Sequence, residues 1–293
     1  MYKEKFLQYL QFEKRYSKHT VTSYAGDIND FRVFCETSYN FSELHEADHN
    51  IIRSWVVNLM ENKLSPRSVN RKLTCLSTFF RFLMKMNVLK TNPLTKVVHP
   101  KNSKRLPVFV EESKMENLFS IVKFGDDFKG QRDKLILTLF YSCGIRLSEL
   151  INLRQSDINN LRMKVLGKRN KERIIPVIEP LAEEFRLYSI LRNKEFQKKN
   201  NDYLLLSDKG EKLNEKFVYR KVKSYLSQVT SMSKKSPHII RHTFATHLLN
   251  NGASLNAIKE LLGHANLAAT QVYTHNTVEK LKSVYQQAHP FAG

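Results

Sequence analysis

The sequence predicts a mainly helical chain with one small β-hairpin, divided into a helical amino-terminal domain and a mixed α/β carboxy-terminal domain. Three observations carry that expectation. Over residues 1–90 apolar side chains recur at intervals of three and four, the period of one helix face. The periodicity stops between Lys90 and Pro107, a basic, proline-bearing stretch that no helix can run through. Beyond it, two short β-type runs flank a polar basic segment, with helical patterns on either side.

From Thr20 onward Val21, Tyr24, Ile28, Phe31 and Phe34 share one helix face, and Ile51, Ile52, Trp55, Val56 and Leu59 make a second stripe. Ser65-Pro66 is a helix start, an N-cap followed by proline in the first turn. After it Val69, Leu73, Leu76, Phe80 and Leu83 form the buried side, with Arg67, Asn70, Arg71 and Lys72 elsewhere on the cylinder. A bundle of four or five helices follows. Residues 91–107 read as an interdomain linker whose positive charge suits a strap along a DNA backbone. Residues 108–293 form the second domain. There Asp133 to Cys143 is helical, and Gly144 is placed to supply a left-handed cap. Met163–Leu166 and Arg173–Val177 are the hairpin strands, with Gly167-Lys168-Arg169-Asn170-Lys171 between them. Helices are expected over Leu181–Phe196, Lys216–Val229 and Pro237–Leu249, then from a Ser254 cap to Gly263, and again from Leu267.

Composition narrows the function classes. With 293 residues, 41% hydrophobic and 26% charged, the chain is an ordinary globular one. Its 48 Lys and Arg against 28 Asp and Glu leave a net charge of +20, more than solubility needs, and this points to a polyanion partner. The surplus is spread evenly: residues 1–105 hold 18 basic and 9 acidic side chains, and the rest hold 30 and 19. The uncharged run from Leu135 to Ile145 is too short to span a bilayer, and charges interrupt the apolar residues near the amino terminus, so neither a membrane nor a secretory role is expected. Cys35, Cys75 and Cys143 lack metal-ligand spacing and read as free thiols of a cytoplasmic protein.

Four segments gather cationic or imidazole groups where a core would not choose them. They are Gly144-Ile145-Arg146, the hairpin tip at Lys168, His238-Ile239-Ile240-Arg241-His242, and Leu261-Leu262-Gly263-His264 followed by Tyr273-Thr274-His275. Together they suit metal-free attack on a phosphodiester. Two arginines can each fork to non-bridging oxygens and offset charge at a pentacoordinate phosphorus. A tyrosine can attack and later leave. A lysine can protonate the departing sugar oxygen, and histidines can serve the phosphate or the phenol. His242 and His247 have metal-like spacing but lack the glutamate of His-Glu-x-x-His, so packing or hydrogen bonding is the expected role. Glu149 either positions an arginine or caps a helix, with structure the favoured reading.

In this order the motifs are those of a known family. The segments Tyr16-Ser17-Lys18-His19-Thr20 with Tyr24, Gly-Ile-Arg-Leu-Ser-Glu-Leu, Gly-Lys-Arg-Asn-Lys-Glu-Arg, His-Ile-Ile-Arg-His-Thr-Phe-Ala-Thr-His, Leu-Leu-Gly-His and Tyr-Thr-His resemble the tyrosine recombinase (phage-integrase) family, nearest its Xer-type branch. The resemblance implies a SAM-like amino-terminal core-binding domain and a catalytic domain that together clamp duplex DNA. It implies Arg146, Lys168, His238, Arg241 and His264 as catalytic groups and Tyr273 as nucleophile. Lys18, Thr20, Arg67, Arg71, Lys72 and Arg169 are the expected DNA contacts. Arg169 stands where glycine is frequent, which leaves Lys171 as a rival proton donor to Lys168. The implied chemistry proceeds through a 3′-phosphotyrosyl link and a Holliday junction, and it requires no metal or other cofactor. The expected partners are a double-stranded recombination site and a tetramer on two duplexes, of one chain or with a paralogue. A DNA-translocase activator is a further expected partner. The stripe Val278, Leu281, Val284/Tyr285 and Ala288 would by itself read as intramolecular core; the resemblance implies instead a terminal helix donated to the adjacent subunit. The implied duty is resolution of chromosome or plasmid dimers on the nucleoid. A mobile-element integrase with the same chemistry is the alternative; a type IB topoisomerase and a non-catalytic DNA-binding relative are the remoter rivals.

Overall fold

A computed structural model describes residues 2–102, 108–159, 161–167, 172–197, 201–263 and 288. The chain forms two compact units, Met1–Arg105 and Leu106–Gly293.

In the first unit α1 (Tyr2–Gln8) runs into a short π-helical turn and is followed by α2 (Lys18–Tyr39), α3 (His49–Glu61) and α4 (Pro66–Lys85). Each long helix starts on a side chain that accepts an otherwise orphan backbone N–H: Ser17 from Thr20, Asp48 from Asn50 and Ile51, Ser65 from Ser68. The core is aromatic. Phe6 meets Phe79 edge-on at 5.2 Å, and Phe31 lies 4.8 Å from Trp55, at the ring separations such pairs prefer. Leu94 and Val97 are buried in this same core. Arg53 also donates to the Lys96 carbonyl (2.7 Å) and Asn70 to that of Pro100 (2.8 Å). The stretch read as a linker from residue 91 is therefore packed on the first unit as far as Pro100. Two apolar side chains in a polar sequence were enough to dock it.

The second unit is built around α6 (Phe128–Cys143), which is buried along its length. α5 (Glu112–Ser120) precedes it and α7 (Leu147–Leu150) follows. The sheet is antiparallel, in the order β1 (Ile158–Asn159), β2 (Arg162–Leu166), β3 (Glu172–Pro176), with Met163 opposite Ile175 and Val165 opposite Arg173. Then come α8 (Glu179–Glu195), α9 (Glu215–Val229), α10 (Pro237–Asn250) and α11 (Leu255–Leu262). α8 and α10 both pack on α6.

Gly144 ends α6 at φ +55°. A Cβ there would lie 2.4 Å from a Phe244 ring carbon and 2.9 Å from a Leu262 methyl, so both the conformation and the close approach demand glycine. The chain reaching Val110 is latched to the back of α10: its N–H donates to Thr243 Oγ1 (3.0 Å), and its carbonyl lies 2.9 Å from His247 Nε2. His247 Nδ1 in turn meets the Tyr141 hydroxyl at 2.9 Å, so this histidine is a hydrogen-bonding core residue. Among the described residues no His, Cys, Asp and Glu group is placed to hold a metal ion, and no helix is long and apolar enough to cross a membrane.

The three cysteines are buried free thiols, and burial pushes all three above the ordinary thiol range, Cys35 and Cys143 to about 12. Of the carboxy-terminal stripe, only Ala288 falls within the described residues. It is buried in this chain's own core, and its carbonyl accepts from Asn251 Nδ2 at 3.0 Å.

Candidate active site

Three of the six predicted catalytic side chains meet at one pocket. Arg146, His238 and Arg241 line a cavity of about 390 Å³, together with Ser148 and, from α9, Glu215 and Tyr219. Local sequence explains each placement. The left-handed turn at Gly144 reverses the chain after α6, and this sets Arg146 at the start of α7. Ser236 caps α10 by accepting from the Ile239 N–H, with Pro237 in the first turn. That puts His238 in the first turn, exposed, and Arg241 one turn on, 7% exposed. The N–H ends of α10 add partial positive charge on the same side. Lys168, Arg169, His264 and Tyr273, like Lys171 and His275, lie outside the described residues.

The two arginines are fixed before any ligand arrives. Arg241 donates from Nη1 to the Gly144 carbonyl and from Nη2 to that of Leu262 (2.7 Å). Arg146 donates from its backbone N–H and from Nη1 to the two oxygens of Glu149, 2.7 Å each, and from Nη2 to the Gly263 carbonyl at 3.4 Å. Glu149 also takes a bidentate fork from Arg173, 2.9 Å on both arms. Two guanidinium groups thus hold one carboxylate while Arg241 feels its charge from nearby, and the site holds a surplus of positive charge. Burial, and then the neighbouring Arg146, pull Arg241 well below the usual arginine range, to about 9. A guanidinium in that state gains from any anion that reaches it. The site is a preformed anion seat.

Burial opposes the charge on Glu149, but hydrogen bonds and attraction from Arg173 and then Arg146 outweigh it and hold the carboxyl at about 2. Its folded value lies below the unfolded one, so its contribution is complete above about pH 4.5 and disappears as pH falls toward 2. Between pH 5 and 2.5 wild type is expected to lose up to about 3 kcal/mol of unfolding free energy through this group. Glu149→Gln should be less stable at neutral pH, with a visibly flatter profile in urea titrations across the same window. An equal slope in both proteins would remove Glu149 from this role.

The expected DNA contacts of the first unit divide. Lys18 and Arg67 are exposed in the first turns of α2 and α4, and Thr20 stands beside the α2 cap, its hydroxyl 2.9 Å from Ser17 Oγ. The amino-terminal halves of these helices are tied together by Arg71, which reaches Ser23 (2.6 Å) and forks onto the buried Asp27. Half of Arg71 remains accessible. Lys72 does not fit the expectation: it is 7% exposed, and its ammonium is held by Asp27 (3.0 Å) and Asp30 (2.6 Å). Its charge neutralises a buried carboxylate, because an ion in that core must be paired.

Sequence reasoning missed Arg173, Tyr219 and the basic outer face of α9, where Lys216, Arg220 and Lys223 are exposed. For Arg173 a signal existed. Strand alternation puts it on the inward face with Ile175, and an inward arginine needs an acidic partner.

Known proteins match both units. The family described as "Phage integrase family" matches residues 109–280, and "Phage integrase, N-terminal SAM-like domain" matches residues 4–87. The chain belongs to the phage integrase family. Tyrosine recombinase XerC of Staphylococcus epidermidis is 41% identical over 294 residues, covering 99% of this chain and 97% of its own length. The family's tyrosine recombinases transfer DNA strands at specific sites, and this chain is such an enzyme. Among solved structures, XerH bound to palindromic difH substrate in a post-cleavage complex aligns with TM-score 0.69 and 18% identity, over 96% of this chain and 93% of that one. A lambda integrase tetramer bound to a Holliday junction gives TM-score 0.69 and 16% identity, over 92% and 74%. These two likenesses support the recombinase fold, with the SAM-like helical domain and the mixed catalytic domain expected from the sequence.

Proposed function

We propose that this recombinase breaks and rejoins DNA through a 3′-phosphotyrosyl intermediate. The observation that carries the reading is the meeting of Arg146, His238 and Arg241 at one preorganised cationic pocket. Tyr273 Oη attacks phosphorus as His238 or His264 takes the phenol proton, and the bond to the 5′ oxygen breaks. Lys168 supplies that oxygen with its proton. Arg146, Arg241, His238 and His264 bind the non-bridging oxygens as charge builds on them. A 5′ hydroxyl from the partner strand then attacks the same phosphorus and returns the phenol. The number of phosphoester bonds is conserved throughout, so the exchange needs no external energy source.

Lys18, Thr20, Arg67 and Arg71 at paired helix ends in the first unit, together with Arg169, seat backbone phosphates. Four subunits act on two duplexes, as in the tetramer on a Holliday junction formed by the lambda integrase relative. The terminal helix, whose Ala288 packs here in its own chain's core, is exchanged with the neighbouring subunit when the tetramer assembles, and the enzyme works on the nucleoid in the cytoplasm. End-to-end likeness to XerC favours resolution of chromosome or plasmid dimers over integration of a mobile element.

The test is covalent capture. The protein is incubated with lightly nicked genomic DNA of its own cell, denatured in detergent, and the protein-linked fragments are sequenced. Adducts concentrated at one short site support the proposal. Adducts spread without preference, or none, would overturn it.

A further inference from the structure

Three consecutive carbonyls at the carboxyl end of α11 are each taken by a different arginine. Arg173 Nε donates to Leu261 (2.9 Å), Arg241 to Leu262 (2.7 Å) and Arg146 to Gly263 (3.4 Å). Among the described residues these carbonyls have no partner within their own helix, and they lie at the negative end of its dipole. Two of the arginines line the pocket. Arg173 does not, being 4% exposed on β3. Its fork closes on both oxygens of Glu149, the carboxylate that fixes Arg146. Its aliphatic stem runs under Gly263, where a Cβ would come within 3.1 Å of Arg173 Cδ while the backbone sits at φ +64°.

We infer that Arg173 is a positioning residue for strand cleavage: it joins the hairpin strand, the Glu149–Arg146 pair and the end of α11 into one rigid frame around the pocket. The inference rests on the recombinase reading above. Arg173 sits five residues beyond Lys168 along the same hairpin and three before Pro176, so the strand that bears the hairpin tip is bolted to the shelf that bears Arg146. Only a guanidinium can do this, since two parallel N–H groups meet the carboxylate while Nε meets a carbonyl. The charged groups facing Glu149 are Arg146 from α7, Arg173 from β3 and Arg241 from α10. With Arg173 weakened, Arg146 loses its rigid backing, and a small displacement at a reacting centre is enough to slow chemistry strongly.

The test uses full-length protein and a nicked duplex carrying the site recovered by covalent capture. Arg173→Lys should slow single-turnover adduct formation on the order of 10- to 100-fold while site affinity stays within about threefold. Its rate relative to wild type should also fall further as pH is lowered, because Glu149 is less firmly held ionised. A rate within about twofold of wild type would overturn the inference, and so would a slow variant whose pH profile matches wild type. Should Arg173→Lys fail to fold, arginine-Nε NMR of the wild-type protein decides. The Arg173 signal stays protected and unshifted on addition of the duplex if the residue positions, and a coupling to DNA phosphorus overturns the inference. Absence of any adduct with wild type would instead refute the recombinase reading itself.

Discussion

Tyr273→Phe is expected to bind its DNA site with unchanged affinity and to form no covalent adduct. The substitution removes one oxygen, the atom proposed to become the phosphoester, and keeps the aromatic ring. Among the described residues lining the pocket, Ser148, Ser236 and Tyr219 also carry hydroxyls, and of these Tyr219 alone is a phenol. The nearest candidate, Tyr219 on α9, lines the cavity as an exposed side chain, but its phenol lacks the Leu-Leu-Gly-His and Thr-His setting. The measurement is denaturing electrophoresis of protein mixed with a nicked duplex, beside a native binding titration. Adduct at wild-type level in the variant would sink the nucleophile assignment and turn attention to Tyr219. Lost adduct with lost binding would show a folding defect, separable by the unfolding transition.

The second large effect falls on Arg241. Arg241→Lys keeps the charge but cannot hold the carbonyls of Gly144 and Leu262 and still present a fork to phosphate. Cleavage should slow on the order of 10²–10³-fold, about 2.7–4 kcal/mol of barrier, if this donor acts like one lost from an oxyanion site. Wild-type rates in the variant would exclude Arg241 from the reacting phosphate. Alanine is the less informative change, because it strips two buried carbonyls of their partner and unsettles α6 and α11 together.

Much of this was legible without coordinates, for identifiable reasons. Caps are local, so Ser65-Pro66, Gly144, Ser254 and Gly263 placed helix ends correctly from neighbouring residues alone. The hairpin strands were legible because Met163, Val165 and Ile175 alternate inward. Arg146, His238 and Arg241 could be grouped because their motifs are short and ordered along the chain. What escaped depends on contacts distant in sequence. Lys72 looks like a surface cation until the turn of α2 carrying Asp27 and Asp30 is laid against it. Glu149 caps α7 locally, as the favoured sequence reading had it, but its hold on Arg173 bridges 24 residues and no local pattern records it. The docking of Leu94 and Val97 was missed because the proline-rich composition around them suggested only an extended strap.

The sealed state of the cysteines has a practical consequence. Cys35, Cys75 and Cys143 are inaccessible and held protonated, and maleimide and iodoacetamide reagents attack the exposed thiolate. A single cysteine introduced on the surface away from the pocket, for instance at the exposed Ser113 on α5, can therefore carry a fluorophore or spin label with all three native sulfurs left in place. Strand exchange by the otherwise unaltered enzyme then becomes observable in real time.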